Sequence, residues 1–294
     1  MVIARLTGGL GNQMFQYAAG RALADRLGTD LLLDTRAFEH ALALRAYTRR
    51  AYALSPFRLR ARLATAADLK NWPVWVVELG MRLRLVRPWF HRWHFESAIT
   101  YDPSVHTLHE PVCLVGYWQS ARYFVESADR IRADFTLRQP LAGTNAGLLE
   151  LARSSHSVGL HVRRGDFVSL DNAAQIHGVC STDYYRRAID FLRNSCPQCR
   201  FIVFSDDKEW ARAELPLDSS AVFVTGNEPS PEMDLVLMSA CKHHILANSS
   251  FSWWAGWLGY SPEQIVIAPS PWYASPRLDA RDLAVSSWQY LSRI

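Results

Sequence analysis

Val2-Ile-Ala-Arg-Leu6, the loop Gly8-Gly9-Leu10-Gly11-Asn12, the run from Met14 to Gly28 and the stretch Leu31-Leu-Leu33-Asp34 decide the fold class. The first and last are short apolar runs of the length and kind that buried strands take. Between them Met14, Tyr17, Ala18, Arg21, Ala22 and Asp25 recur at helical spacing up to Gly28. A strand, helix and strand in so few residues make a βαβ unit, and such a crossover joins parallel strands.

Outward from this unit the alternation continues. Val112–Gly116 reads as a strand, 123–134 as a helix and Gln139–Asn145 as a linker. Residues 45–110 are less regular and rich in Arg, Trp and Pro. A second series opens at Val158–Val162, followed by a helix at Asp183–Arg193 and strands at Phe201–Phe204 and Ala221–Val224. A helix at Glu232–Cys241, a strand at His244–Ala247, a helix from Phe251 to Gly259 and a strand at Ile265–Ala268 complete it. The spacing predicts an α/β chain of two Rossmann-like domains with a cleft between them. The expected domains are 1–145 and 146–275, with 276–294 a C-terminal segment open to returning to the first.

Composition narrows the class. Of 294 residues 49% are hydrophobic and 20% charged, which excludes disorder. No apolar run approaches the roughly 18–20 residues of a membrane span, and Met1–Leu6 has no signal-peptide core. The reading is a cytoplasmic protein. Five cysteines, an odd number, fit that compartment. Cys196-Pro-Gln-Cys199 is a CxxC with no second pair in the sequence to complete a zinc site, so a loop between helix and strand is the plainer reading. Residues 1–150 carry 19 Lys+Arg against 13 acids, and 151–294 carry 13 against 15. Arginine supplies 29 of the 32 cations, and it is the better bidentate partner for phosphate. The net charge of +4 does not suggest a nucleic-acid binder.

Four stretches carry candidate chemistry. Gly8–Gln13 joins a strand to a helix, where Gly9 and Gly11 admit a ligand and Asn12 and Gln13 stand at a helix start. It is neither GxGxxG nor a Walker A loop, and a tight turn explains it equally well. His161-Val-Arg163-Arg164-Gly-Asp166 follows a strand, and two guanidiniums there match a diphosphate; internal Arg–Asp pairs are the alternative. Asp206 and Asp207, again at a strand end, suit a purine base or ribose, a divalent metal with Glu209, or a helix cap. Asn248-Ser249-Ser250-Phe251 opens a helix with hydroxyls and amides, as a phosphate site does, or as a simple N-cap does. Trp253 and Trp257 share one helix face and belong in the core. Together the last three stretches describe a nucleoside-diphosphate pocket.

Gly8-Gly-Leu-Gly-Asn-Gln-Met-Phe-Gln-Tyr17, His161–Asp166 and Asn248-Ser-Ser-Phe-Ser-Trp-Trp254 resemble the bacterial α-1,2-fucosyltransferases. Gly116-Tyr-Trp-Gln-Ser120 and His177-Gly-Val-Cys180 are similar to further stretches of that family. The similarity runs from residue 2 to about 273 and is weakest over 45–100. It implies a GT-B fold, GDP-L-fucose as donor, inversion and no metal. It places Arg163 at the donor pyrophosphate, His161 with Asp206 or Asp207 near guanine, and Ser249 and Ser250 at the β-phosphate. It also implies a galactose-containing oligosaccharide acceptor.

The reaction is then a displacement at a sugar carbon through an oxocarbenium-like transition state. Arg163, Arg164 and the amides at Ser249–Phe251 would stabilise the leaving GDP. Asp166 is the first choice of base, although two neighbouring guanidiniums favour its ionised form and weaken it. His161, Asp171 and His177 are the alternatives. Two rival functions remain: a metal-dependent transferase using Asp206, Asp207 and Glu209, and a glycan-binding protein using some of 11 tryptophans. Trp72, Trp75, Trp89, Phe90, Trp93 and Phe95 interleave with Arg82, Arg84, Arg87 and Arg92, with Lys70 just before. That mixture suits peripheral contact with anionic membrane and a lipid-linked acceptor, or else an ordinary helical pair with exposed arginines.

Overall fold

The computed structural model of the chain describes residues 1–39, 50–73, 92–154 and 156–294. The chain divides into two compact units, Met1–Arg138 with Arg281–Ala284, and Gln139–Ala280 with Val285–Ile294.

The first unit is built on β1 (Val2–Arg5), β2 (Leu31–Asp34), β3 (Arg62–Leu63), β4 (Trp93–Phe95) and β5 (Val112–Val115). They form one sheet in the order β3-β2-β1-β5-β4, every pair parallel. β1, β2 and β5 are buried at every position, which is why they read as unbroken apolar runs rather than alternating ones. Helix α1 (Leu10–Leu27) stops at Gly28, whose φ of 63° is the left-handed cap that glycine supplies. Gly20 sets how closely α1 lies on the sheet, since a Cβ there would meet Leu31 Cδ1 at 2.9 Å and Ala4 Cβ at 3.0 Å.

The two-residue β3 and three-residue β4 carry no recognisable apolar run and go unseen in the sequence. A short helix α2 (Arg36–Glu39) follows β2. The helix expected over 123–134 is shorter: two 3-10 turns, Ala121–Tyr123 and Val125–Ser127, precede α3 (Ala128–Asp134). Phe124 interrupts it at φ −140° while its side chain is buried.

Trp72 and Trp93 are buried in the core of this sheet, edge to face with ring centroids 5.2 Å apart. Two of the six aromatics assigned to a membrane surface are therefore core residues. Trp75, Arg82, Arg84, Arg87, Trp89 and Phe90 lie outside the described residues.

The second unit begins with α4 (Thr144–Ser154), within and beyond the expected linker, and β6 (Ser157–Val162). Next come α5 (Gly165–Ser169), α6 (Asp171–Ile176), α7 (Thr182–Ser195) and β7 (Arg200–Ser205). They are followed by α8 (Lys208–Glu214), β8 (Val222–Phe223), α9 (Pro231–Ser239) and β9 (His243–Ile245). α10 (Ser250–Leu258), β10 (Val266–Ser270) and β11 (Gln289–Ser292) close it. The sheet runs β11-β10-β9-β6-β7-β8, all pairs parallel. Read from β8, that is the doubly wound dinucleotide-fold order 3-2-1-4-5-6, with its switch point between β6 and β9.

Helix α7 shows how the sequence builds this. Ser181 caps it by accepting the Tyr184 amide at 3.1 Å. Its inner face buries Tyr184, Tyr185, Ala188, Ile189 and Leu192. The two phenols then donate to backbone at the strand ends, Tyr184 to Leu246 at 2.6 Å and Tyr185 to His161 at 3.2 Å. Trp253 and Trp257 stack in the core as expected, with Trp254 buried beside them.

Candidate active site

The carboxyl ends of β6 and β9 flank the switch point, where open α/β sheets bind their ligands. The segment after β6 is Arg163-Arg164-Gly165; the segment after β9 is Leu246–Ser249, leading into α10. β7, next to β6, ends at Ser205 and is followed by Asp206 and Asp207. Chain topology thus brings together the three stretches of the second unit that the sequence marked.

Their side chains form one lattice. Arg163 Nη1 lies 2.9 Å from Asp206 Oδ2, and the Arg164 amide donates to Asp206 Oδ1 at 2.8 Å. Arg164 Nε donates to Asp207 Oδ2 at 3.2 Å, and its guanidinium sits 4.2 Å over the Trp210 ring. Asp207 also caps α8, accepting the Trp210 amide at 3.1 Å. Gly165 has to be glycine here, because a Cβ would stand 2.7 Å from Asp206 Oδ2. The helix cap weighed for Asp207 is present, and the Arg–Asp pairs run from this loop to the one after β7 and fix the arginines in place. Glu209 is exposed on α8. Among the described residues Asp206, Asp207 and Glu209 do not converge as a ligand set.

His161 bridges the two sides of the switch point. It is 6% exposed, its ring lies 5.1 Å from that of Phe251 on α10, and its Nδ1 has no hydrogen-bond partner among the described residues. Burial, with Arg163 adding to it, pushes its pKa down to about 3. A neutral imidazole with a spare nitrogen can hydrogen-bond a ligand, but it is a poor proton acceptor.

Ser249 is the N-cap of α10, its Oγ accepting the Phe251 amide at 3.3 Å, and Ser250 is the first helical residue. Asn248 is buried, and its Nδ2 lies 2.9 Å from His177 O, 3.1 Å from Gly178 O and 3.2 Å from Trp272 O. Arg293 Nη1 donates to the same His177 carbonyl at 2.6 Å. The His177 ring stacks flat on Phe167, centroids 4.5 Å apart, and Phe167 lies 5.4 Å below the Arg163 guanidinium. Asn248 was quoted only as part of a motif and Arg293 was missed. No local pattern marks a residue whose partner is a carbonyl 116 positions away.

Asp166 is on α5, but its side chain lies outside the described residues. Asp171 is exposed at the start of α6.

Gly9, Gly11, Asn12 and Gln13 belong to the first unit. Gly8, not Gly9 or Gly11, holds the positive φ of that loop, 75°. Gln13 is fully buried and spends its amide on the protein. Nε2 donates to Gly8 O at 3.0 Å and Ala51 O at 2.8 Å, and Oε1 accepts from Ala53 N at 2.9 Å. Gln13 thereby pins the Gly8 loop to the Ala51–Ala53 segment. Asn12 Oδ1 accepts from Gln119 Nε2 at 2.9 Å, and Gln16 Nε2 donates to Gly116 O at 2.9 Å. The Gly8 loop and the Gly116–Ser120 stretch are thereby joined across the switch point of the first sheet, between β1 and β5. There Trp118 takes a φ of 57°, held by Glu96, whose carboxylate accepts the Tyr117 and Trp118 amides at 2.7 and 2.8 Å.

The second unit is thus a doubly wound α/β sheet with a fixed pair of arginines at its switch point. The chain belongs to glycosyl transferase family 11, which it matches over residues 96–292. It is 35% identical to an alpha-1,2-colitosyltransferase of Escherichia coli, over 98% of each chain. It is 30% identical to the O-antigen biosynthesis glycosyltransferase WbnK of Escherichia coli, over 96% of this chain and 98% of that one. Galactoside alpha-(1,2)-fucosyltransferase 1 of Plecturocebus brunneus is 31% identical over 85% of this chain and 63% of its own. Among solved structures, NodZ alpha-1,6-fucosyltransferase soaked with GDP-fucose aligns over 87% of this chain and 91% of that one, at a TM-score of 0.49 and 15% identity. No helix among the described residues is long and apolar enough to cross a membrane.

Proposed function

We propose that the chain transfers L-fucose from GDP-L-fucose, with inversion and without a metal, to the 2-hydroxyl of a galactoside within an O-antigen-type oligosaccharide. The observation that carries this reading is the Arg163–Arg164 loop locked to Asp206 and Asp207 beside the α10 start. The names of the relatives supply the sugar and the linkage. Arg163 and the free amides of α10 take up the charge that builds on the β-phosphate as the glycosidic bond breaks. His161, kept neutral, offers Nδ1 to the ribose or base. Asp166 takes the proton of the acceptor hydroxyl. The test is GDP-fucose turnover with a panel of β-galactosides, the product linkage read by NMR; a product joined at any other hydroxyl overturns the reading.

A second donor has a specific observation behind it, because the 35% identical relative is named for colitose. Colitose is fucose without its 3-hydroxyl, so the two donors differ by one polar group. The ratio of kcat/KM for GDP-fucose and GDP-colitose decides between them, since a site that hydrogen-bonds the hydroxyl discriminates strongly against its absence.

Peripheral attachment to an anionic cytoplasmic leaflet is the remaining part of the proposal, and it now rests on Arg82, Arg84 and Arg87 rather than on Trp72 or Trp93. Flotation with anionic vesicles at low salt tests it. Binding that an Arg82/Arg84/Arg87→Gln variant loses supports attachment, and protein that stays at the bottom of the gradient excludes it.

A further inference from the structure

The Cys196–Cys199 pair has no partners in the sequence, but Cys196 gains them in the folded second unit. Cys196 is the C-cap of α7, His156 immediately precedes β6, and His243 opens β9. All three sit at the amino edge of the sheet, the end away from Arg163. One donor atom from each, two imidazole nitrogens and a thiol sulfur, lies within 4.8 Å of the other two. Of the three, His156 is exposed, Cys196 half-buried and His243 buried.

We propose that His156, Cys196 and His243 form a binding site for a zinc-class divalent cation, one that staples the end of α7 to the starts of β6 and β9. Two imidazoles and a thiolate are a borderline-soft donor set that favours zinc over magnesium or calcium. Tetrahedral zinc with bonds of about 2.0–2.3 Å sets its ligand atoms roughly 3.3–3.8 Å apart. The cluster therefore has to contract by about 1 Å, and the exposed His156 side chain can make that movement. Lys242 is paired with Glu263 at 2.7 Å. Cys199 is not one of the converging donors, and the fourth position falls to water.

One contact opposes the metal. The Ile265 amide donates to His243 Nδ1 at 3.1 Å. Ligation through Nε2 moves the ring proton to Nδ1 and costs that amide its acceptor. The site is accordingly weaker than a dedicated structural zinc centre. It lies at the opposite edge of the sheet from the arginine loop, so it acts on stability and is independent of the sugar-transfer reading.

The experiment uses the full chain, reduced and stripped with chelator, then titrated with Co²⁺. One equivalent should produce a thiolate-to-cobalt charge-transfer band together with the visible bands of tetrahedral cobalt. Cys196→Ser should abolish the charge-transfer band, and His156→Ala, a surface change that leaves folding intact, should weaken binding at least tenfold. Zinc at a hundredfold over its Kd should raise Tm by roughly 5–10 °C in the parent chain and not in Cys196→Ser. The absence of a charge-transfer band, its persistence in Cys196→Ser, or unchanged affinity in His156→Ala would each overturn the site.

Discussion

Arg163 shows how much a single residue was legible. An arginine pair after a buried strand announces anion binding, but the sequence could not say that Asp206, 43 positions on, holds the first guanidinium at 2.9 Å. In the proposed function that pairing holds the guanidinium before any ligand arrives, which is the condition for stabilising charge that develops only in the transition state. Arg163→Ala should lower kcat/KM at least a hundredfold, a loss of about 3 kcal/mol. Arg163→Lys should recover little, because lysine lacks the bidentate fork. A near-normal kcat/KM in either variant would remove Arg163 from the clamp.

The buried histidines give a second residue-scale expectation. The pKa of His161 falls to about 3 and that of His244 to about 4, each through burial. Both lie below the unfolded value of about 6.5. The unfolded chain therefore binds these protons first as pH falls. Their contribution is complete above pH 6.5 and is lost on acidification through pH 4 and 3, at about 1.4 kcal/mol per pH unit for each group. Urea midpoints measured from pH 7 to pH 4.5 should fall steadily. His244→Asn should be less stable at pH 7 but have the shallower slope; parallel slopes would contradict the assignment.

At the scale of elements, the longer buried strands and α1, α7, α9 and α10 were legible because periodicity and length define them. The short β3, β4 and β11 were not, because their pairing is decided by neighbours and not by their own composition. The loops were legible only as types of residue. Gly165 stands in the sequence only as a glycine beside two arginines; the structure shows that it leaves room for Asp206. Gly165→Ala should displace Asp206 and reduce turnover sharply while leaving Tm nearly unchanged. The Asn248 turn should respond in the opposite manner. Asn248→Ala removes the Nδ2 donor shared by three carbonyls, of which that of His177 keeps Arg293, and should cost about 1–3 kcal/mol in stability, read as a lower urea midpoint.

At the scale of the whole molecule, the question is what stabilises the leaving diphosphate. Metal-dependent transferases use carboxylates to hold a divalent ion against it. Here Asp206 and Asp207 each face an arginine, and Glu209 stands apart on α8. In the proposed function the guanidiniums supply the positive charge that a metal would bring. Turnover at 25 °C should accordingly persist in EDTA and gain little from Mg²⁺ or Mn²⁺. Chelation should nevertheless lower Tm, because the cluster of His156, Cys196 and His243 would give up its ion at the far edge of the sheet. The two readouts separate the two sites: activity reports on the arginines and melting on the cysteine and histidines. Turnover lost on chelation at a temperature where the fold is intact, and restored by Mg²⁺ or Mn²⁺ alone, would transfer the catalytic assignment from Arg163 to Asp206, Asp207 and Glu209.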